Sequence, residues 1–244
     1  MNQPDPVGPQ LPLALRYPPD QRLETWLDAS ASGIVARLGS LAAGTSKETL
    51  YLQGTSGSGK THLLLATCAE AEASGRRVHY LSLARVSGHA RAAFEGIDQA
   101  DLVALDGVEV LTGRREDEVA LFDLHNRLRD AGVDLVYAAR QIPAALPLAL
   151  PDLGSRLAQC TLVALPALDD HGRAEVLRRR AETRGLAFDE AALEWLLTRC
   201  SRDLSNLTAL LERLDLASLA AQRRITVPFL RQVLGGDFPA EGAA

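Results

Sequence analysis

The chain lacks the marks of secreted, membrane-spanning and strongly basic proteins. It has 3 cysteines in 244 residues, and their wide separation gives no metal-ligand spacing and favours reduced, structural thiols. The first residues contain no basic stretch ahead of an apolar run, and no run of about 18 apolar residues predicts a membrane helix. The formal net charge of −5 argues against a mainly electrostatic grip on DNA. These absences predict a cytoplasmic protein with no membrane partner.

A phosphate-binding motif is the strongest positive feature. Residues 54–61 read G-x-x-x-x-G-K-T, after a strand-like run and before a helix-forming segment. The loop is expected to surround phosphates with backbone N–H groups, while Lys60 reaches the β and γ phosphates and Thr61 holds Mg²⁺. The predicted nucleotide-binding residues of this loop are Gly54, Thr55, Ser56, Gly57, Ser58, Gly59, Lys60 and Thr61.

A second motif is an apolar strand over residues 101–106 that ends in a carboxylate. Asp106 is predicted to hold Mg²⁺ through water, close to Thr61. Many ATPases of this type carry Glu at the next position, where this chain has Gly107, and Glu109 is expected to lie out of place. The sequence therefore predicts a site that binds nucleotide and lacks the usual hydrolytic base.

Apolar strands alternate with helices between residues 49 and 165, which predicts an α/β fold with a five-stranded parallel sheet. After residue 166 the pattern is helical throughout, which predicts a small lid. We expect four segments: a disordered leader (1–16), the nucleotide-binding domain (17–165), the lid (166–235) and a flexible tail (236–244).

Several arginines are candidates for phosphate chemistry. Arg156 follows a short loop before the last strand, although its residues alone favour a solvated or internally ion-paired side chain. Arg202 begins the third predicted lid helix and could fold back onto the phosphates. The run at residues 178–180 is expected to be a solvated face rather than a nucleic-acid patch.

The N-terminal segment contains an alternating apolar peptide at residues 10–15. In an extended chain Leu11, Leu13 and Leu15 share one side. On physical grounds the peptide suits two interpretations equally, a docking motif that folds on binding or a strand of its own domain.

Together these motifs resemble the AAA+ module of the bacterial replication initiator DnaA. The resemblance rests on the phosphate loop, the strand end at Asp106, the segment P-D-L-G-S-R-L at residues 151–157 and the Arg202 helix. Unlike in DnaA, we expect no helix-turn-helix segment after the lid. The peptide Q-L-P-L-A-L at residues 10–15 is similar to those by which partners dock on the DNA polymerase sliding clamp. The combination resembles the Hda family of DnaA-related regulators.

The resemblance implies a role in regulating replication initiation. Its members dock on the clamp, reach DNA through it, and trigger hydrolysis of the ATP bound to DnaA. It implies that Arg156 is an arginine finger acting in trans, that Arg202 is a second sensor, and that the resident ligand is ADP or ATP with Mg²⁺. It also implies a nucleoid-associated protein that forms monomers, homodimers or nucleotide-dependent oligomers. The implied clamp-binding residues are Gln10, Leu11, Leu13 and Leu15.

The chain departs from the family pattern at two positions. The strand that carries the first sensor in the family usually ends in a polar or acidic residue, but here it leads to Arg140. Gly107 replaces the catalytic carboxylate. Both predict little self-hydrolysis. Two other functions stay open, a self-assembling ATPase that acts as a helicase loader or remodeller, and a nucleotide-gated module at a membrane.

Overall fold

The computed structural model describes residues 22–26, 33–199, 210–211, 213–217 and 224–234. The predictions for the peptide at residues 10–15 and for Arg202 lie outside these ranges. Within them, no helix has the length and apolar character needed to cross a bilayer.

A five-stranded parallel sheet forms the centre of the larger domain, as the sequence predicted. The strands are β1 Thr49–Gln53, β2 Val78–Ser82, β3 Leu102–Asp106, β4 Asp134–Ala139 and β5 Thr161–Ala164. They lie in the order β2-β3-β4-β1-β5. Their register sets Asp106 beside Ala138 and Gln53 beside Ala139. The carboxyl ends of β1, β3 and β4 therefore share one edge, where ligands bind in open α/β sheets.

Helices cover both faces of the sheet because the strand side chains alternate. Leu50 and Leu52 point into one apolar cluster, and Tyr51 between them points into the other. The helices are α1 Ile34–Ala42, α2 Lys60–Ala73, α3 Ala90–Ala93, α4 Arg115–Asp130 and α5 Pro151–Ala158. Short 3₁₀ turns span Leu23–Thr25, Leu83–Arg85, Ile97–Gln99, Val108–Leu111 and Pro143–Ala145.

Helix α3 ends at Ala93, and Gly96 takes a left-handed conformation with φ of 75° before a new 3₁₀ turn. One local prediction was wrong. The segment at residues 151–157, expected as a loop, is helix α5. Pro151 occupies its first turn, where a missing N–H costs nothing.

The lid has its own apolar core. Its helices are α6 Asp170–Thr183, α7 Glu190–Arg199 and α8 Val227–Leu234, and residues 210–211 and 213–217 are also helical. The Asp169 carboxylate accepts a hydrogen bond of 2.7 Å from the Gly172 N–H and so caps α6. Leu177, Leu193 and Leu214 are among the residues buried between these helices.

Candidate functional site

The phosphate loop joins the end of β1 to the start of α2. Gly57 and Gly59 have φ of 76° and 86°, a left-handed conformation that favours glycine. At Gly54 a Cβ atom would overlap the Ser58 side chain, and at Gly59 it would overlap the Trp26 ring. The loop therefore requires glycine at these positions for its shape.

Lys60 is held over this loop. Its Nζ donates hydrogen bonds of 2.7 Å to the carbonyl oxygens of Gly54 and Thr55. Lys60 is also the first residue of α2, and at a helix N-terminus free N–H groups and the helix dipole favour an anion. The local charge and geometry suit a phosphate group.

Thr61 and Asp106 meet at the sheet edge, as predicted. The Thr61 hydroxyl donates a hydrogen bond of 2.6 Å to the Asp106 Oδ2 atom. The Tyr80 hydroxyl on β2 donates a second, of 3.0 Å, to the same oxygen. Burial, and then the nearby Asp106 carboxylate, raise the pKa of Tyr80, so it remains a donor. A hydroxyl and a carboxylate suit Mg²⁺, which takes one or two protein oxygens together with substrate phosphates.

Glu109 and Arg140 form an ion pair within the same cavity. The cavity has a volume of about 410 Å³ and is also lined by Lys60, Thr61 and Asp106. Arg140 Nε lies 3.3 Å from Glu109 Oε1, and the Arg140 N–H donates to Oε2 at 3.3 Å. We did not expect Glu109 at the site. Its carboxylate lines the cavity, with both oxygens bound to Arg140.

Two further residues of the cavity were not found from the sequence. His62, on α2, and Arg180, on α6 of the lid, both line it. An Arg180 N–H lies 3.2 Å from His62 Nδ1, and His62 Nε2 lies 3.1 Å from the Arg22 carbonyl oxygen. Arg180 had been assigned to a solvated face. No local sequence signal separates it from Arg178 and Arg179, because its direction depends on how the lid packs.

Arg156 lies outside this cavity, in the last turn of α5. Its guanidinium carbon is 6.0 Å from the centre of the Phe122 ring on α4. No carboxylate within the described ranges forms an ion pair with it. Of the two alternatives that the residues alone favoured, the internal ion pair is not formed there, and the partly exposed side chain agrees with a solvated one.

A buried carboxylate fixes the start of the helix that carries Arg156. Glu118 on α4 is fully buried. Its oxygens accept hydrogen bonds from the backbone N–H groups of Gly113 at 2.7 Å, Ala149 at 3.1 Å and Leu150 at 2.7 Å. Leu150 is the residue that precedes α5. No sequence signal predicted this contact.

The strand, glycine loop and helix, with Lys60 over the loop and Thr61 beside Asp106, define a P-loop protein of the AAA+ class with a helical lid. The family model of the bacterial DnaA ATPase domain matches residues 28–164, and that of the Hda lid domain matches residues 170–234. The chain belongs to the DnaA-related AAA+ family, as a Hda-like regulator of replication initiation.

Individual proteins are similar to this chain in sequence or in fold. An uncharacterized protein of Haemophilus influenzae is 35% identical over 93% of this chain and 99% of its own length. Domain III of the Thermotoga maritima replication initiation protein DnaA has a TM-score of 0.71 and 20% identity, over 92% of this chain and 99% of its own. AMPPCP-bound DnaA from Aquifex aeolicus has a TM-score of 0.61 and 22% identity. That match covers 81% of this chain and 66% of the Aquifex chain.

Proposed function

We propose that this protein is a clamp-tethered, nucleotide-bound adaptor that stimulates hydrolysis of the ATP held by DnaA. The observation that carries the proposal is Arg156, a partly exposed cation on a surface helix outside the protein's own phosphate-loop cavity. Arginines presented to a neighbour's γ-phosphate stabilise the charge of the transition state for phosphoryl transfer.

The proposed ligand of the phosphate loop is ADP or ATP with Mg²⁺. Lys60 and the N-terminus of α2 would bind the phosphates, and Thr61 and Asp106 would hold the metal ion. Gly107 offers no carboxylate at the position after Asp106, and the Glu109 carboxylate is bound by Arg140. Slow self-hydrolysis follows from this arrangement, so the nucleotide would serve as a structural ligand.

The peptide at residues 10–15 is the proposed attachment to the sliding clamp. Gln10, Leu11, Leu13 and Leu15 would make the contact, and the clamp would bring the protein to DNA. Arg202 is proposed as a second contact to the phosphates. Deleting residues 10–15 should abolish co-purification with the clamp, and retained binding would refute this assignment.

The finger is tested by DnaA-bound ATP hydrolysis in the presence of DNA-loaded clamp. Arg156→Ala should lower the stimulated rate by roughly 1,000-fold or to the unstimulated level, because arginine fingers contribute about that factor or more. Arg91→Ala is the matched control, since Arg91 is exposed and is paired only distantly, at 3.8 Å, with Asp123.

If Arg156→Ala stimulates hydrolysis of DnaA-bound ATP as fully as the wild type does, the assignment of Arg156 as an arginine finger is refuted. The alternative of a self-assembling ATPase makes the opposite prediction for the isolated protein. If the isolated protein releases phosphate as fast as the complete reaction with DnaA does, that alternative is favoured. If the isolated protein releases none, that alternative is excluded.

A further inference from the structure

We infer that Arg180, on the first lid helix, is a phosphate-contacting residue of the nucleotide site, which ties the lid to the phosphate loop through His62. The inference rests on the proposed binding of ADP or ATP at the phosphate loop. It adds to that site a residue separate from Arg202, the phosphate contact proposed above.

The three consecutive arginines of α6 differ in what they face. Arg178 donates to Glu175 at 2.8 Å and to Glu190 at 3.0 Å, and Arg179 donates to Glu175 at 2.9 Å. Both are therefore bound to lid carboxylates. Arg180 instead lines the cavity that contains Lys60 and Thr61. A cation in the last turn of α6 interacts favourably with the helix dipole whichever way its side chain points. The dipole therefore does not explain why the Arg180 side chain lies in the cavity.

His62 fixes the direction of the Arg180 side chain. The imidazole is 7% exposed and belongs to the first turn of α2, two residues after Lys60. The Arg22 carbonyl oxygen can only accept, so the nearby Nε2 carries the proton and Nδ1 is left to accept from Arg180. Both contacts are satisfied by the neutral Nε2–H tautomer. A guanidinium has five N–H donors in a planar arrangement, and the contact to His62 directs that donor-rich group toward the phosphate loop.

Charge makes phosphate the fitting ligand for this guanidinium. The side chains lining the cavity carry three positive charges, of Lys60, Arg140 and Arg180, and two negative charges, of Asp106 and Glu109. Glu109 is paired with Arg140, and Asp106 is a proposed ligand of Mg²⁺. Lys60 and Arg180 come from the two domains and enter the same cavity. A polyphosphate between them would join lid and loop by charge-assisted hydrogen bonds.

The test is the affinity of the full-length protein for fluorescently labelled ADP with Mg²⁺. Arg180→Met keeps the length of the apolar stem and removes the charge, and it should weaken ADP binding about tenfold, as expected for one charged hydrogen bond. Arg179→Met is the matched control and should bind as the wild type does. Arg180→Lys keeps the charge and should recover at least part of the loss.

Three outcomes would overturn the inference: wild-type affinity in Arg180→Met, an equal loss in Arg179→Met, or an Arg180→Lys variant as weak as Arg180→Met. The melting temperature of each nucleotide-free variant should stay equal to that of Arg179→Met, and a drop confined to Arg180→Met and Arg180→Lys would identify a purely structural role.

Lys60→Ala separates this inference from the proposed function. If Lys60→Ala binds ADP as tightly as the wild type, the proposed site itself is wrong, whereas a loss in Lys60→Ala alone refutes only the role of Arg180.

Discussion

The phosphate-loop cavity and the surface of α5 that carries Arg156, here called the Arg156 surface, use cationic side chains in opposite ways. In the cavity, Lys60 is bonded to loop carbonyls and Arg140 to Glu109. Arg156 lies on a helix outside the cavity, and its guanidinium group lies near an aromatic ring. The first arrangement suits a protein that retains its own ligand. The second suits a charge offered to another molecule.

The two regions are also stabilised differently. The loop depends on left-handed backbone conformations that favour glycine. The start of the helix that carries Arg156 depends instead on one buried carboxylate, which accepts three backbone hydrogen bonds. They should therefore be separable by mutation.

Removing the Lys60 ammonium should have the largest effect, and only on the cavity. Lys60→Ala is expected to weaken ADP binding by roughly 1,000-fold, about 4 kcal/mol, because two or more charge-assisted contacts to phosphate are lost. Titration calorimetry measures this loss. Arg156→Ala should bind ADP like the wild type, and a comparable loss in that variant would show that the two regions are coupled.

Replacing the buried carboxylate should affect the Arg156 surface instead. Glu118→Leu leaves three backbone N–H groups without their acceptor, and should lower the free energy of unfolding by about 3 kcal/mol. Chemical denaturation measures the change. Glu116→Leu, at an exposed position on the same helix, should change the free energy by about 0.5 kcal/mol or less. Equal losses in the two variants would contradict a role for the Glu118 hydrogen bonds.

The smallest expected effect is a pH dependence at His125, which lies on α4 near Arg156. Burial, then Arg129, then Arg156 lower the pKa of His125 to about 4, from an ordinary value of 6.5. Between those values the unfolded chain binds a proton that the folded chain does not, so stability falls as the pH falls from 6.5 to 4. We expect this group to contribute about 2 kcal/mol of that loss.

Two variants isolate the His125 contribution. His125→Gln should reduce the loss of stability between pH 6.5 and 4 relative to the wild type. Arg156→Ala should raise the pKa of His125 in an NMR titration, because one of the nearby positive charges is gone. An unchanged pKa would show that the Arg156 charge does not act on the His125 ring.

Much of the fold was predictable because it depends on local patterns. The strand–loop–helix motif predicted the positions of Lys60 and Thr61, and the apolar run ending at Asp106 predicted its approach to Thr61. Tyr80, Glu118 and Arg180 were not found because each acts on a segment distant in sequence. Nothing near Glu118 indicates that its carboxylate will bind the N–H groups of Ala149 and Leu150. Likewise, the three arginines of α6 can be told apart only once the lid is packed against the cavity.

The close packing of Trp26 over Gly59 gives the protein a built-in optical probe. The chain has 2 tryptophans, and they report on different places. Trp26 lies against the phosphate loop, with its ring centre 5.9 Å from that of His62. Trp195 lies in the lid, under the Arg199 guanidinium at 4.8 Å. With Trp195→Phe, the remaining emission would follow ligand entry into the loop without any attached dye.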